Sequence, residues 1–283
     1  MTIDLGPALN EAQRALSAQS ETPFVDSLAL LAGLTGRSTA WVLAHPDARL
    51  APDQAAALNA SLERLASGEP LPYVLGRREF FGLEFEIGPG VLIPRPETEL
   101  LVEQALGWLV DHPNRRTFID VGTGSGCIAV SLAARVHDLH GLAVDISAEA
   151  LSLARRNLAR HGVGERVALV QGDLATAVGR SLDLIVANLP YVPTETLKKL
   201  RVSAYEPLLA LDGGSDGLAQ IRRLLAEGPR VLAHGGLLLM EIEAGQGQAA
   251  LRLAEDIFPG AALEVLKDLA GKDRLLKVMD RGD

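Results

Sequence analysis

Four consecutive residues at the end of an apolar run combine groups that can hold a planar nitrogen atom. The run covers residues 182–187, and Asn188, Leu189, Pro190 and Tyr191 follow it. The Asn188 side-chain carbonyl and the Leu189 backbone carbonyl can accept hydrogen bonds from both N–H groups of an amide. Pro190 stiffens the turn, and Tyr191 offers a flat wall. Such contacts activate a weak nucleophile by orientation and electrostatics; the alternative is a strand end capped by an Asn turn.

A glycine-rich segment earlier in the chain predicts a second binding element. It contains Gly122, Thr123, Gly124, Ser125 and Gly126. The segment follows a predicted strand and opens a predicted helix, where glycines allow a sharp turn and let a ligand approach without a Cβ in the way. Asp145 closes the next predicted strand, where a carboxylate can accept hydrogen bonds from both ribose hydroxyls. We therefore expect a nucleotide-like cofactor.

The spacing of the glycines indicates which cofactor. It is Gly-x-Gly-x-Gly, whereas the pattern that binds a dinucleotide pyrophosphate is Gly-x-Gly-x-x-Gly. Asp120 precedes the loop, and a carboxylate suits a sulfonium and an ammonium group but repels a pyrophosphate. These features favour S-adenosylmethionine. Asp173 and Leu174 follow the third predicted strand, where we expect Asp173 to accept from the adenine amine and Leu174 to cover one ring face. An ordinary loop carboxylate is the alternative for Asp173.

Alternating strand and helix patterns surround these segments and predict an α/β fold. Its sheet is doubly wound and Rossmann-like, with right-handed crossovers and one antiparallel strand at the end of the sheet. The predicted strands cover residues 117–121, 142–145, 167–170, 182–187, 236–242, 263–266 and 274–278. The predicted helices cover residues 97–110, 127–136, 148–161, 217–232 and 246–257.

The first part of the chain has a different pattern. Residues 1–75 show apolar positions at helical spacing and no strand pattern, which predicts a small all-α domain. That domain serves either for packing only or as a platform for a protein substrate. Residues 76–94 carry a hairpin signal, with the expected turn at residues 88–90 (Gly-Pro-Gly), and link it to the α/β part, residues 95–283.

Composition narrows the functional class further. The chain has 283 residues, 48% of them apolar, and a net charge of −9, which disfavours stable nucleic-acid binding. Cys127 is the only cysteine, so an internal disulfide is impossible. The N-terminal residues do not have the pattern of a signal peptide, and no apolar stretch has the length of a bilayer span. We expect a cytoplasmic protein without a membrane partner. His137 and His140 have metal-like spacing but lack further ligands, so no metal is expected.

Four further stretches support a resemblance to a known family. They are residues 69–76 (EPLPYVLG), 79–83 (EFFGL), 91–99 (VLIPRPETE) and 205–207 (YEP). Together with the glycine loop and the Asn188 segment, they make the chain resemble the release-factor glutamine N5-methyltransferases, the PrmC/HemK family, nearly end to end. The stretch 94–99 is far more specific than a generic cofactor loop.

The resemblance implies a helical substrate-binding domain (1–75), a β-hairpin linker (76–94) and a seven-stranded S-adenosylmethionine-dependent methyltransferase domain (95–283). The substrate would be the glutamine of the Gly-Gly-Gln motif in class I peptide chain release factors, and S-adenosylhomocysteine would be the product. A monomer is expected. The resemblance also implies roles for individual residues. It assigns cofactor contacts to Gly122, Thr123, Gly124, Ser125, Gly126, Asp145, Leu174 and Asn188, and substrate contacts to Asn188, Leu189, Pro190 and Tyr191, with Asn188 and Tyr191 catalytic.

The same resemblance places Arg95 and Thr98 near the methionine end of the cofactor. It also places Leu174 where relatives often have an aromatic residue against the adenine.

One residue departs from the family pattern and keeps other functions open. The family usually has Pro where this chain has Leu189, and Asn-Leu-Pro-Tyr is also typical of rRNA adenine dimethyltransferases. The alternatives are an adenine-N6 methyltransferase acting on RNA or DNA, and a non-catalytic module that binds release factors or senses S-adenosylmethionine. An NAD(P) oxidoreductase is disfavoured because the loop does not suit a pyrophosphate.

Overall fold

The computed structural model describes residues 3–18, 20–179 and 181–281. Contacts within the chain divide it into two compact units, one that ends at Arg77 and one that begins at Arg78.

The first unit is built from amphipathic helices, as the leucine spacing predicts. Its helices are α1 (Leu5–Leu16), α2 (Pro23–Thr35), α3 (Thr39–Ala44), α4 (Pro52–Ala66) and α5 (Leu71–Leu75). Prolines begin α2 and α4, where the missing N–H has no helical partner to lose. The buried side chains form one apolar core. It includes Leu5, Leu16, Leu28, Leu30, Leu31, Val42, Leu50, Leu58 and Leu65.

The hairpin forms, but its turn lies earlier than the sequence suggested. Strands β1 (Arg77–Phe80) and β2 (Leu83–Glu86) pair with each other and are joined by two residues. These residues, Phe81 and Gly82, have φ values of 51° and 71°. Positive φ at both positions is what a two-residue hairpin turn with the correct strand twist requires. The expected turn at residues 88–90 was wrong: that segment forms a separate turn after β2.

The second unit is the α/β part. Its strands are β3 (Thr117–Val121), β4 (His140–Asp145), β5 (Val167–Gln171), β6 (Leu182–Ala187), β7 (Leu232–Glu241), β8 (Ala262–Lys267) and β9 (Asp273–Met279). Its helices are α6 (Glu99–Asp111), α7 (Cys127–Arg135), α8 (Ala148–Arg160), α9 (Thr194–Leu197), α10 (Ala219–Val231) and α11 (Gly247–Ile257). The strands form one sheet in the order β5-β4-β3-β6-β7-β9-β8, which confirms the predicted α/β class.

The antiparallel strand was expected at the end of the sheet, and this position was wrong. Strand β9 is inserted between β7 and β8 and runs antiparallel to both. The burial of the two strands explains this order. Leu275, Leu276 and Val278 of β9 are fully buried, whereas no residue of β8 is. The more apolar strand therefore occupies the inner position, where both faces are covered.

The register of the central strands gathers the predicted site residues at one edge. Val121, the last residue of β3, pairs with Val144 of β4 on one side and with Ala187 of β6 on the other. The segments that follow these strands therefore begin next to one another. After β3 the chain adds β4 and β5 on one side of that strand, and it then crosses to the other side to form β6 and β7. This is the switch point where parallel α/β sheets bind ligands.

A buried carboxyl group holds the turn that follows β3. Asp120 is fully buried, and its Oδ2 accepts hydrogen bonds from the Thr123 hydroxyl (2.7 Å) and the Ala129 N–H (3.2 Å). Its Oδ1 has no hydrogen-bond partner among the residues that the structure describes. Burial raises the pKa of Asp120 to about 7. The carboxyl group thus ties β3 to the glycine turn and to the first turn of α7.

A buried amide ties the same turn to the hairpin. Asn157 of α8 is fully buried, and its Oδ1 accepts from the Glu86 N–H at 2.8 Å. Its Nδ2 donates to the Glu86 carbonyl (3.0 Å) and to the Ser125 carbonyl (2.8 Å). One side chain therefore satisfies three backbone groups of two separate segments.

We expect the free energy of unfolding to depend less on pH in the Asp120→Asn variant than in wild type. Because the pKa is raised, the native state keeps the Asp120 proton at pH values above 3.8, the ordinary pKa of an aspartate, where the unfolded state releases it. Stability from this group is complete at low pH and is lost as pH rises toward 7. Between about pH 5 and pH 8, wild type should lose roughly 2–3 kcal/mol more than the variant. Urea denaturation at both pH values measures this, and equal losses would contradict the assignment.

We expect Asn157→Ala to lower the free energy of unfolding of the second unit by about 3 kcal/mol, because three buried backbone groups lose their partner. Urea denaturation in a Trp41→Phe background measures this, since Trp108 then reports on the second unit. Asn114→Ala is the matched control. Asn114 is exposed, so a change within about 0.5 kcal/mol is expected. Equal effects of the two substitutions would contradict a stabilising role of the three Asn157 hydrogen bonds.

Candidate functional site

A cavity of about 450 Å³ lies in the second unit at the carboxyl ends of β3, β4 and β6. Its size is that of a typical small-molecule site. Most of the residues predicted from the sequence line it. They are Gly122, Thr123, Gly124, Ser125, Asp145, Leu174, Asn188, Leu189 and Pro190. Gly126 and Tyr191 are not among the described residues that line the cavity.

The glycine turn is fixed to strand β4. The backbone N–H groups of Gly122 and Thr123 both donate to the Val144 carbonyl, at 2.8 and 2.9 Å. Gly126 has a φ of 81°, and an added Cβ would lie 3.3 Å from the Ala154 Cβ. Gly126 therefore lets α7 start close to α8, and it acts on the cavity through the position of the turn.

Asp145 is held in one orientation by two backbone groups. Its Oδ1 accepts from the Ser147 N–H and its Oδ2 from the Gly124 N–H, each at 2.9 Å. Burial raises the pKa of Asp145, and these N–H groups oppose that rise. Each carboxylate oxygen has a further lone pair. The carboxylate can therefore accept two hydroxyl donors from a ligand without moving.

The segment after β5 forms another wall of the cavity. Leu174 is buried and has a φ of 50°, a left-handed conformation that is uncommon for leucine. Asp173 lines the cavity beside it but forms an ion pair with Arg223 of α10 at 2.6 Å. Arg223 and Gln220 also line the cavity. Neither of these two α10 residues was predicted to line the site.

The Asn188 segment forms the opposite wall. The Asn188 Nδ2 donates to the Thr98 hydroxyl oxygen at 3.0 Å. Leu189 is buried, and a Cβ on Gly122 would lie 3.0 Å from its Cδ2. The leucine side chain therefore covers the first glycine of the cofactor loop. The two motifs found in the sequence are in direct contact.

Tyr191 points into the protein core. Its hydroxyl donates to the Glu241 Oε1 at 3.0 Å, and its backbone carbonyl accepts from the Gln246 Nε2 at 2.9 Å. Burial raises the pKa of the phenol, and the nearby Glu241 carboxylate adds to that rise. These two hydrogen bonds of Tyr191 therefore fix the end of the Asn188 segment against the core. The wall role suggested by the sequence stays a prediction.

The stretches 91–99 and 205–207 of the sequence meet through one buried carboxylate. Glu206 accepts from the Ile93 N–H at 3.1 Å and from the Arg95 guanidinium at 2.6 Å. Thr98 lines the cavity, whereas Arg95 is not among the described residues that do. Leu209, which is 60% exposed, and Ile146, which is 49% exposed, give the cavity an apolar rim.

Glu241 is the functional candidate that the sequence analysis missed. It ends β7, next to β6 in the sheet, and is 2% exposed. The rule that identified Asp145, an acid at the carboxyl end of a central strand, could also have found it. In the described part of the chain, no three His, Cys, Asp or Glu side chains are placed to share a metal ion. No described helix is long and apolar enough to cross a membrane.

Comparison with known proteins relates both units to one family. Residues 7–76 match the model of the PrmC N-terminal domain, and residues 97–204 match the methyltransferase small domain. A methyltransferase structure from Pyrococcus furiosus shares the fold, with a TM-score of 0.52 at 18% identity over 72% of this chain and 91% of that chain.

Curated relatives extend the match over nearly the whole chain. The release factor glutamine methyltransferase of Moorella thermoacetica is 43% identical over 96% of this chain and 97% of its own. That of Nitratidesulfovibrio vulgaris is 41% identical over 93% of this chain and 90% of its own. In both comparisons the matched stretch covers more than nine tenths of this chain. The chain therefore belongs to the release factor glutamine methyltransferase family.

Proposed function

We propose that this protein transfers a methyl group from S-adenosylmethionine to the side-chain nitrogen N5 of a glutamine. The substrate is the Gly-Gly-Gln motif of class I peptide chain release factors, so the modification acts on translation termination in the cytoplasm. The observation that carries the proposal is the Asn188 segment. Its side-chain Nδ2 is bound by Thr98 while Asn188 itself lines the cavity. The Asn188 Oδ1 is thereby left to accept from an acceptor amide.

The cavity lining suits this cofactor. The Asp145 carboxylate fits a pair of ribose hydroxyls, the buried Leu174 fits an adenine face, and the tight glycine turn leaves room for the methionine part. The charged lining residues also fit a cation better than a pyrophosphate. Arg223, the only Arg or Lys among the described lining residues, is paired with Asp173. When bound, S-adenosylmethionine supplies an electrophilic methyl group.

The chain's own residues orient the acceptor. The lone pair of a glutamine amide nitrogen is delocalised, so the amide attacks well only when it is held in line with the methyl group. The Asn188 Oδ1 and the Leu189 carbonyl can accept from its two N–H groups. These contacts fix the nitrogen and favour the positive charge that develops on it. One amide proton leaves after the new N–C bond forms.

The helical unit, residues 1–75, is proposed to bind the protein substrate, with residues 76–94 as its linker. Phe24 and Val25 of α2 support this proposal, because they are large apolar side chains that are 43% and 59% exposed. We further propose that the enzyme acts as a monomer and makes no stable contact with nucleic acid or membrane.

The direct test is transfer of a radiolabelled methyl group to a purified class I release factor. The control is the same factor with its Gly-Gly-Gln glutamine changed to alanine, and an adenine-containing RNA is tested in parallel. Label on the wild-type factor alone supports the proposal. Label on the RNA would move the function to adenine methylation, and label on neither substrate would contradict enzyme activity on both.

We expect Asp145→Ala to weaken S-adenosylhomocysteine binding by about 100-fold, because two charged hydrogen bonds to the ribose are lost. Isothermal titration calorimetry measures the affinity. Asp111→Ala removes an exposed aspartate of the same unit and should leave the affinity unchanged. An Asp145→Ala variant that binds as tightly as wild type would place the cofactor elsewhere.

We expect Asn188→Ala to reduce methyl transfer by more than about 100-fold while cofactor affinity stays within about tenfold, because its main role is to orient the acceptor. Single-turnover transfer and calorimetry separate the two effects. Wild-type turnover by this variant would rule out the assigned role.

A further inference from the structure

A strap formed by residues 89–94 is part of the cavity wall. Most of it lines the cavity, through Pro89, Gly90, Val91, Leu92 and Pro94. Near one end of the strap, a Cβ on Gly90 would overlap the carboxyl group of Glu149, which belongs to α8 and follows β4. Shortly after the other end, Thr98 accepts a hydrogen bond from Asn188, which follows β6. The strap therefore extends along the cavity from the β4 side to the β6 side.

A loop that follows the Asn188 segment supplies a further part of the wall. The loop covers residues 192–213, and its lining residues are Pro207, Leu209 and Ala210. The Val192 N–H donates to the Leu211 carbonyl at 3.1 Å, and the Gly213 N–H donates to the Val192 carbonyl at 2.9 Å. These hydrogen bonds close the base of the loop. The lining part of the loop lies between them and needs contacts of its own.

Glu206 joins this loop to the strap. Its Oε2 accepts from the Ile93 N–H at 3.1 Å, and its Oε1 accepts from the Arg95 Nη2 at 2.6 Å. Ile93 and Arg95 stand on either side of Pro94, which lines the cavity. Glu206 immediately precedes Pro207, which lines it as well. The two parts of the wall are thus joined within one residue of a lining proline on each side.

The chemistry of this junction makes it rigid. The Glu206 side chain is 2% exposed and that of Arg95 is 35% exposed. A buried carboxylate is costly unless donors satisfy it, and each oxygen of Glu206 has one. The hydrogen bond from the charged guanidinium is of the strong, short kind. The prolines at 94 and 207 also restrict the backbone of the residue before each, which is Ile93 and Glu206.

We propose that Glu206 is a positioning residue that holds the strap and the loop at the spacing required by the amino-acid part of S-adenosylmethionine. The inference rests on the proposed cofactor. With the ribose at Asp145 after β4 and the adenine at Leu174 after β5, the strand order β5-β4-β3-β6 leaves the β6 side to the amino-acid part. Glu206 and Arg95 are not among the described residues that line the cavity. They act through the wall segments that they join.

The first test compares two ligands on the Glu206→Gln variant. The glutamine NH₂ group faces either the Ile93 N–H or the Arg95 guanidinium, so one of the two hydrogen bonds is lost. We expect the Kd of S-adenosylhomocysteine, measured by calorimetry, to rise about tenfold. The second ligand, 5′-methylthioadenosine, has the adenine, the ribose and the sulfur but no amino-acid part. Its Kd should stay within about twofold of the wild-type value. A general loss of structure would weaken both ligands alike, and that result would overturn the inference.

Glu195→Gln is the matched control. Glu195 lies in the same loop, forms an ion pair with Lys198 at 2.5 Å and has an exposed side chain. It is not among the described residues that line the cavity. The variant makes the same chemical change away from the strap, so we expect both affinities to stay at their wild-type values. An equal loss of S-adenosylhomocysteine affinity in Glu195→Gln would show that Glu206 has no special role.

The second test approaches the ion pair from Arg95 and applies even where Glu206→Gln does not fold. Arg95→Met removes the charged donor, whereas Arg95→Lys keeps one. We expect the lysine variant to bind S-adenosylhomocysteine at least about fivefold more tightly than the methionine variant. Adding Glu206→Gln to Arg95→Met should not weaken binding further, because the two residues act as one pair. Equal affinities of the two Arg95 variants, or full additivity in the double variant, would overturn the inference.

A third readout needs no ligand and separates the inference from the proposed function. The loop contains Arg201, an exposed site for trypsin. In the native, ligand-free state we expect cleavage after Arg201 to be at least about fivefold faster in Glu206→Gln than in wild type or Glu195→Gln, because the loop opens more often. Mass spectrometry of the fragments measures the rate. If wild type binds neither ligand, the proposed function fails, while cleavage still tests Glu206. Unchanged cleavage in folded Glu206→Gln and Arg95→Met proteins would overturn the inference.

Discussion

The pairing of Val121 with both Val144 and Ala187 is the constraint on which the site depends. Because the three strands are parallel and end together, the glycine turn, Asp145 and Asn188 begin at one edge of the sheet. A shift of one residue in either pairing would turn Asp145 or Asn188 to the other face. The buried strand residues between them make such a shift unfavourable, so apolar packing sets the distances on which the chemistry relies.

Three carboxyl groups at or near the carboxyl ends of strands are buried, but they have different hydrogen-bond partners. Burial raises the pKa of Asp120, Asp145 and Glu241. Asp145 faces the cavity and has backbone donors on both oxygens, which leaves it ready for a ligand. Asp120 and Glu241 do not line the cavity, and each has one carboxyl oxygen without a hydrogen-bond partner in the described part of the chain. The carboxyl group of Asp120 orders the glycine turn, and that of Glu241 orders the Asn188 segment. The binding surface therefore depends on a layer of buried acids that does not itself form the surface.

Much of this arrangement could be predicted from the sequence, and the failures have identifiable causes. Strand ends were predictable because apolar runs stop at Val121 and Ala187, and parallel strands must end at a common edge. The hairpin turn was misplaced because residues 88–90 have stronger turn chemistry than Phe81-Gly82. Only the backbone shows that Phe81 adopts a positive φ. The number of strands does not predict the position of β9 in the sheet, because that position follows from the relative burial of β8 and β9.

The partners of individual side chains were harder to predict than the strand ends. Asp173 lines the cavity, and Arg223 of α10, far along the chain, pairs with it. The hydrogen bond of Asp173 with the adenine amine stays a prediction. The Tyr191 hydroxyl donates a hydrogen bond to the buried Glu241, and its role as a flat wall of the site stays a prediction. In both cases the decisive partner is distant in sequence. Local motif chemistry specifies which groups are present, and tertiary packing determines where they point.

Leu189 shows how packing can replace the stiffness of a proline. A proline at this position would restrict the backbone of Asn188. Leu189 does not impose that restriction. In exchange, the buried leucine side chain packs over Gly122. The Gln246 amide holds the Tyr191 carbonyl, and a Cβ at Gly217 would overlap that same carbonyl, so the backbone there is enclosed on both sides. Because tertiary contacts fix the segment at both ends, a backbone carbonyl at position 189 can keep its direction without a proline.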